Sequence, residues 1–122
     1  MTTVQTRRVY ESVETGDGER VLVERLWPRG VPKQDERVGR WLKEAAPTDD
    51  LRRWFHETGD FANFSKEYRR ELRERPESRA ALDELEELAR SAGTVTLVFA
   101  SKDEAHNSAV VLRDVLESEL SG

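Results

Sequence analysis

The sequence predicts an α/β fold with a small sheet of about three strands, at least one parallel pair among them, and about five flanking helices. The first observation behind this is that residues 20–26 and 94–100 form short, nearly continuous apolar or β-branched runs, typical of buried strands. The second is the helical spacing of apolar residues across residues 35–92. A helical connection of that length permits a parallel, right-handed crossover. We therefore expect strands 20–26 and 94–100 to run parallel in one sheet, with 94–100 at its centre.

Composition limits the classes of protein that fit. A length of 122 residues indicates a single domain spanning residues 1–122. The absence of cysteine excludes disulfides, a thiolate nucleophile and a cysteine-based metal site. No apolar run predicts a membrane span or a secretory signal, so a cytoplasmic protein without membrane association is the expectation. The formal net charge of -5 makes nucleic acid an unlikely partner, because binding would need a dense basic face.

The first predicted strand covers residues 6–13, where Val9, Tyr10 and Val13 stand among polar residues, typical of a half-exposed outer strand. The link through residues 14–19 is too short for a helical crossover. Direct pairing with strand 20–26 would most simply form an antiparallel hairpin. A parallel arrangement, with another strand between the two, is the alternative.

The helices are predicted from caps and apolar spacing. Asp35 can cap a first helix in which Val38, Trp41 and Leu42 follow i, i+3, i+4 spacing, with Pro47 as its limit. Thr48 can cap a second helix that stops at Gly59. The remaining three are expected from the Asp60 cap to Pro76, from the Ser78 cap to Gly93, and from Ser101 onward through Ala105, Ala109, Leu112 and Leu116. Trp41 and Trp54 lie in the apolar stripes of their helices and are expected in the core.

The chemistry of the chain is concentrated after the two buried strands. Open α/β sheets bind ligands beyond the carboxyl ends of their strands, and parallel strands bring these ends to the same edge. Cationic side chains suit carboxylate or phosphate groups. We therefore predict a basic pocket for a small anionic metabolite, phosphorylated or carboxylated, with Arg29 and Lys102 converging on one anion. The predicted ligand-binding residues are Arg25, Trp27, Arg29, Lys33, Ser101, Lys102 and Asn107.

The charged residues and the histidines near this predicted pocket also have other interpretations. Glu24 and Asp103 could neutralise the cations in structural ion pairs instead. His56 is the candidate catalytic residue, as an acid or base, although a surface histidine that only forms hydrogen bonds is the leading interpretation. Glu24 could pair with it, but nothing in the sequence places the two together. The chain has one other histidine, His106, and two histidines at this separation do not indicate a metal site, so neither a metal nor a cofactor is predicted.

Several ordered motifs also carry a family resemblance. They are RVLVERLWPRG at 20–30, LRRWFH at 51–56 and VTLVFASKDEAHNSAVVL at 95–112. With these motifs the chain resembles the YeaO-like family of small bacterial and archaeal proteins of unknown function, from Arg8 to Leu116. The resemblance implies an α/β fold and no established activity, substrate or catalytic residue. The family usually has aspartate where this chain has Glu24, and Asn or His where it has Ser108.

Two other functional classes remain open at this point. In one, the protein is a regulatory module and the turn around Trp27 is a protein-binding surface, which would respond to a partner but not to small anions. In the other, it binds nucleic acid, and a steep salt dependence would reveal it. The sequence does not specify the ligand, a reaction or the oligomeric state.

Overall fold

A computed structural model describes residues 2–122, and in this range the chain forms four strands and four α-helices. The strands are β1 (Thr3–Arg8), β2 (Glu19–Leu22), β3 (Arg40–Trp41) and β4 (Thr94–Phe99). The helices are α1 (Asp49–Thr58), α2 (Phe61–Glu74), α3 (Pro76–Ala92) and α4 (Ser108–Ser121), with short 3-10 helices at Thr15–Asp17 and Lys43–Ala45.

All strands of the sheet are parallel, in the order β1-β4-β2-β3. β4 is central, as its apolar sequence predicted: Thr94 to Phe99 pair with Thr3 to Arg8 on one side, and Val95 to Val98 pair with Glu19 to Leu22 on the other. The predicted α/β class and the parallel pairing of the two buried strands are confirmed.

The predicted hairpin between the first two strands is wrong, because β4 lies between β1 and β2 and pairs in parallel with both. The alternative with an intervening strand is the observed one. The first strand also starts and ends earlier than residues 6–13, since its pairing follows the length of β4. Beyond Val9 the chain turns, and the Glu11 amide donates to the Arg8 carbonyl.

The helix predicted from Asp35 through Leu42 does not form. Residues 35–38 are turns stabilised by the Asp35–Arg37 ion pair of 2.7 Å, and Arg40–Trp41 pair with β2 as an edge strand. The backbone at Gly39 passes so close to β2 that a Cβ there would lie 2.7 Å from the Arg20 carbonyl oxygen. Sheet pairing and this close approach override the local helical spacing.

The main core lies between one face of the sheet and the helices. Side chains alternate along the strands, so Val21, Val95, Leu97 and Phe99 face α2, α3 and α4. Leu22 and Val98 point the other way, into a smaller cluster with Val9, Val31, Trp27, Val38 and Ala100. The opposite face is therefore covered by the long connection after β2 and not by a helix.

Three further expectations need correction. Helix α3 begins at Pro76 and not at Ser78, which is buried and accepts a hydrogen bond of 3.0 Å from Arg75 Nη1. Helix α4 begins at Ser108, after an irregular loop. Trp41 and Trp54 are not core residues, because they are 40% and 37% exposed. In the described range, no helix combines the length and the apolar character that a membrane crossing requires.

Candidate functional site

A cavity of about 760 Å³ opens at the carboxyl edge of the sheet. Its volume lies within the range of about 300–1,000 Å³ that is usual for small-molecule sites. Its walls come from the chain after β2, from helix α1 and the start of α2, and from the loop between β4 and α4. The lining residues are Glu24, Pro47, Arg52, Phe55, His56, Gly59, Phe61, Phe64, Ser101, Asp103, His106, Asn107 and Ser108.

Glu24 follows β2 and is held from two sides. Its carbonyl accepts a 2.7 Å hydrogen bond from Trp41 Nε1, and its Oε1 accepts a 3.2 Å hydrogen bond from the Ala100 amide just past β4. Burial raises the pKa of Glu24, and the Ala100 amide and the charge of Arg52 offset this only partly. The side chain is thus fixed where two parallel strands end.

Arg52 lies on helix α1, whose N-terminus is anchored by Thr48. The Thr48 amide and hydroxyl donate to the carboxylate of Glu71 on α2, at 2.9 and 2.5 Å, and the hydroxyl caps the Leu51 amide. Arg52 Nε and Nη2 both donate to Asp49 Oδ1, at 3.2 and 2.5 Å. Its Nη1 has no acceptor in the described part of the chain, and Arg52 is one of the residues that line the cavity.

His56 stands one helical turn after Arg52 and lines the same cavity. It is exposed to solvent. The structure therefore gathers Glu24, Arg52 and His56 around one space, although the sequence offered no reason to place the carboxylate near the histidine.

The loop between β4 and α4 is organised by Asp103. Asp103 Oδ1 accepts from the amides of Ala105 and His106 at 3.0 and 2.9 Å, and its carbonyl accepts from Asn107 Nδ2 at 2.8 Å. These amide contacts hold the pKa of Asp103 below its ordinary value. Asn107 also caps α4, since its Oδ1 accepts from the Val110 amide at 3.0 Å. The loop is thereby ordered along one wall of the cavity.

Aromatic rings form the apolar wall. Phe55 and Phe64 stack with ring centroids 4.2 Å apart, and Phe61 packs against both. The His106 ring meets Phe61 edge-on at 5.1 Å, so the β4–α4 loop and helix α2 are in contact. The cavity thus combines an apolar surface with a few charged groups, the usual make-up of a small-molecule site.

Comparison with known proteins identifies the family. The model of the inactive DUF488-N3 subclade matches residues 3–122. The chain belongs to this subclade. It is also 42% identical over 116 residues to the uncharacterized protein Rv3073c of Mycobacterium tuberculosis, covering 94% of both chains. It is 38% identical over 116 residues to the uncharacterized protein YeaO of Escherichia coli, covering 94% of this chain and 97% of the relative. The resemblance to the YeaO-like family is confirmed, and no solved structure matches the chain.

In this member of the DUF488-N3 subclade, three of the predicted site residues line the cavity: His56, Ser101 and Asn107. Arg29, Lys33 and Lys102 are exposed and lie outside its lining. The Arg29 carbonyl accepts a 2.9 Å hydrogen bond from the Tyr10 hydroxyl, which fixes the backbone and leaves the guanidinium in solvent.

Arg25 and Trp27 also lie outside the lining and have structural contacts instead. Arg25 donates to the carbonyls of Pro47 and Ala46, both at 3.3 Å, and to Glu44 Oε1 at 3.1 Å. Trp27 Nε1 donates to the Val31 carbonyl at 2.7 Å, and its ring packs edge-on against Trp41 at 5.3 Å.

Sequence reasoning missed the role of Arg52 and of the phenylalanines at the cavity. One signal was available, because Arg52 and His56 are four residues apart and must share a face of a helix. Phe61 and Phe64 lie in the helix expected after the Asp60 cap, but nothing local shows that their side chains reach a cavity. Glu24 was recognised as a charged residue at a strand end and interpreted mainly as a partner for nearby cations. The described residues bring together no group of three or more His, Asp or Glu side chains that could hold a metal ion.

Proposed function

We propose that this protein binds a small anionic metabolite in the cavity at the carboxyl edge of its sheet and does not turn it over. The observation that carries the proposal is that Arg52, whose Nη1 has no acceptor among residues 2–122, lines a cavity of about 760 Å³ with an aromatic wall. A carboxylate or a phosphate monoester is the anion that best suits a guanidinium group.

The charges around Arg52 favour an anion. Asp49 forms 2.5 Å ion pairs with both Arg52 and Arg53, so these three side chains carry a net positive charge. Asn107 and Ser108 at the start of α4 line the same cavity, where the helix dipole is positive. The proposed anion therefore lies between a guanidinium and a helix N-terminus.

The aromatic wall indicates the chemistry of the part of the ligand that does not carry the negative charge. Phe55 and Phe61 offer apolar surface next to the charged groups, and burial of such surface contributes about 25 cal/mol per Å². A metabolite with an apolar or aromatic body and one acidic group fits a cavity with both apolar and charged surface better than a compact inorganic ion does.

The description of the family as inactive favours binding without chemistry. In this proposal His56 donates a hydrogen bond to the ligand and transfers no proton. Catalysis by His56 is the alternative, and it predicts that a bound compound is converted during incubation with the wild-type protein.

A thermal-shift screen of phosphorylated and carboxylated metabolites, followed by calorimetric titration, tests the proposal. Loss of one charge-assisted contact is worth about 1.5–3 kcal/mol, so Arg52→Gln should weaken binding about tenfold to a hundredfold. Arg53→Gln is the matched control, because Arg53 pairs with the same Asp49 but does not line the cavity. It should change affinity by less than about twofold.

Two results would contradict the proposal. One is that no compound of the screen stabilises the wild type. The other is that Arg52→Gln and Arg53→Gln weaken binding equally, which would indicate a diffuse charge effect. A product detected by mass spectrometry would show that the protein is an enzyme.

A second function is favoured by one observation. Leu26 and Trp41, on either side of Trp27, are 60% and 40% exposed, an unusual degree for large apolar residues that are close together. This surface supports the alternative of a protein-interaction module. Such a module would bind a protein partner with no response to the metabolite screen.

A further inference from the structure

Glu24 and Arg52 carry opposite charges and face one cavity, yet they do not pair with each other. Arg52 is near enough for its charge to lower the pKa of Glu24, but the described residues contain no ion pair between them. Each is held by another partner, Arg52 by Asp49 and Glu24 by the Ala100 amide. The two charged groups therefore line one cavity without forming an ion pair with each other.

Each group also has one hydrogen-bonding position without a protein partner. The Ala100 amide engages Glu24 Oε1, while Oε2 has no partner among residues 2–122. Arg52 Nη1 is likewise without an acceptor in that range. A carboxylate oxygen and a guanidinium nitrogen without protein partners, on two residues that line one cavity, form a pair of complementary binding positions.

We infer that the ligand is zwitterionic, with a primary ammonium group bound by Glu24 and a carboxylate or phosphate group bound by Arg52. This inference rests on the proposed anion-binding function and narrows its ligand class. A purely anionic ligand would place its negative charge near Glu24 and leave that carboxylate without a cationic group of its own. A ligand with both charges satisfies both positions.

The surroundings of Glu24 are consistent with a bound cation. Phe55 and Phe61 line the same cavity, and aromatic rings attract an ammonium or guanidinium group. Burial raises the pKa of Glu24, and a cation beside it would restore the ionised form. The other charged or titratable groups that act on this site are Arg52 and His56 from α1, Tyr68 from α2, and Asp103 and His106 from the β4–α4 loop.

The test uses pairs of compounds in which one charge is removed. The set contains phenylalanine, tyrosine, tryptophan, phosphoserine and phosphoethanolamine, each with its N-acetyl form, and each amino acid with its carboxamide. Binding is measured by thermal shift and by calorimetry. We expect at least one zwitterion to bind the wild type, and acetylation of its α-amino group, or of the amine in phosphoethanolamine, to weaken binding about tenfold to a hundredfold.

Variants of Glu24 connect this preference to one side chain. Glu24→Gln keeps an acceptor for the Ala100 amide but loses the charge, so it should bind the zwitterion and its N-acetyl form with affinities within about twofold of each other. Glu24→Asp keeps the charge and should retain the preference for the free amine. Arg52→Gln should weaken binding of the zwitterion and of its N-acetyl form alike.

The outcomes separate this inference from the proposed function. If a carboxylate or phosphate binds through Arg52 but acetylation has no effect, or if Glu24→Gln keeps the full preference, the zwitterion inference is wrong and anion binding stands. If neither this set nor the metabolite screen yields a ligand, both are wrong. If Glu24→Gln does not fold, comparison of the acetylated and free compounds on the wild type and on Glu24→Asp decides.

Discussion

Arg25 offers a sharp test of the difference between a binding role and a structural one. Its side chain is only 14% exposed, and its guanidinium donates to the carbonyls of Ala46 and Pro47 and to the carboxylate of Glu44. The Tyr68 hydroxyl donates to the neighbouring Ala45 carbonyl from the other side. The segment before α1 is thus held between Arg25 and α2, and Pro47 forms part of the cavity wall.

The substitution Arg25→Gln should therefore destabilise the fold. It removes the donor from two buried carbonyls, and a buried acceptor left unpaired costs about 1–3 kcal/mol. Both bonds are long, at 3.3 Å, so the lower part of that range applies to each. We expect a loss of about 2–4 kcal/mol in the free energy of unfolding, which for a chain of this size lowers Tm by about 8–16 °C.

Urea unfolding followed by tryptophan fluorescence measures this loss, and Arg29→Gln is the control. Arg29 lies in the same turn but is exposed, and its replacement should change the free energy of unfolding by less than about 0.5 kcal/mol. The reasoning is refuted if Arg25→Gln unfolds like the wild type and loses affinity for a cavity ligand. Arg25 would then be the ligand-binding residue that the sequence predicted.

Two further predictions concern Asp17 and His56. Asp17 is buried, and its Oδ2 lies 2.8 Å from Arg20 Nη1. Burial raises the pKa of Asp17, but the Glu14 amide, Arg20 and Arg7 outweigh this effect and hold the pKa below its ordinary value. This carboxylate stabilises the fold at pH values above its unfolded pKa of about 3.9, and the contribution is lost as pH falls through the folded pKa. Asp17→Asn should therefore lower the free energy of unfolding by about 3–5 kcal/mol at neutral pH and flatten the acid limb of a stability–pH profile. An unchanged profile would contradict this prediction. His56 is exposed, so His56→Gln should leave the free energy of unfolding within about 0.5 kcal/mol of wild type in the same urea assay, whereas a loss of several kcal/mol would place it in a buried network.

The sequence predicted the parts of the fold that depend on local signals. Thr48 and Asp60 cap α1 and α2 as expected, with side chains that accept from Leu51 and Asn63. The apolar run at 94–100 predicted the central strand, and the long helical connection predicted its parallel pairing with β2. These features follow from hydrogen-bonding needs and burial within a few residues, so a single sequence contains them.

The segment at 35–42 could not be predicted in the same way. Its apolar residues do follow helical spacing, but the structure of the segment depends on Gly39 packing against Arg20 and on pairing of Arg40–Trp41 with β2. Arg20 also reaches the Arg37 carbonyl with a 2.8 Å hydrogen bond, which stabilises the turn. These contacts join residues about twenty apart in sequence, and two paired residues are too short for a recognisable strand pattern.

The same argument explains why the sequence predicted a pocket at the edge of the sheet where a cavity lies, but chose cations that do not line that cavity. An arginine side chain is long and can reach acceptors on several elements, so its role depends on which acceptors the fold places beside it. Arg25 meets two backbone carbonyls and a carboxylate, which occupy all of its edges. Arg52, which lines the cavity, donates among the described residues to Asp49 Oδ1 alone, so its Nη1 has no acceptor there. Arg52 is the binding candidate because one of its donors is unused. This depends on the folded chain, so no local sequence motif could show it.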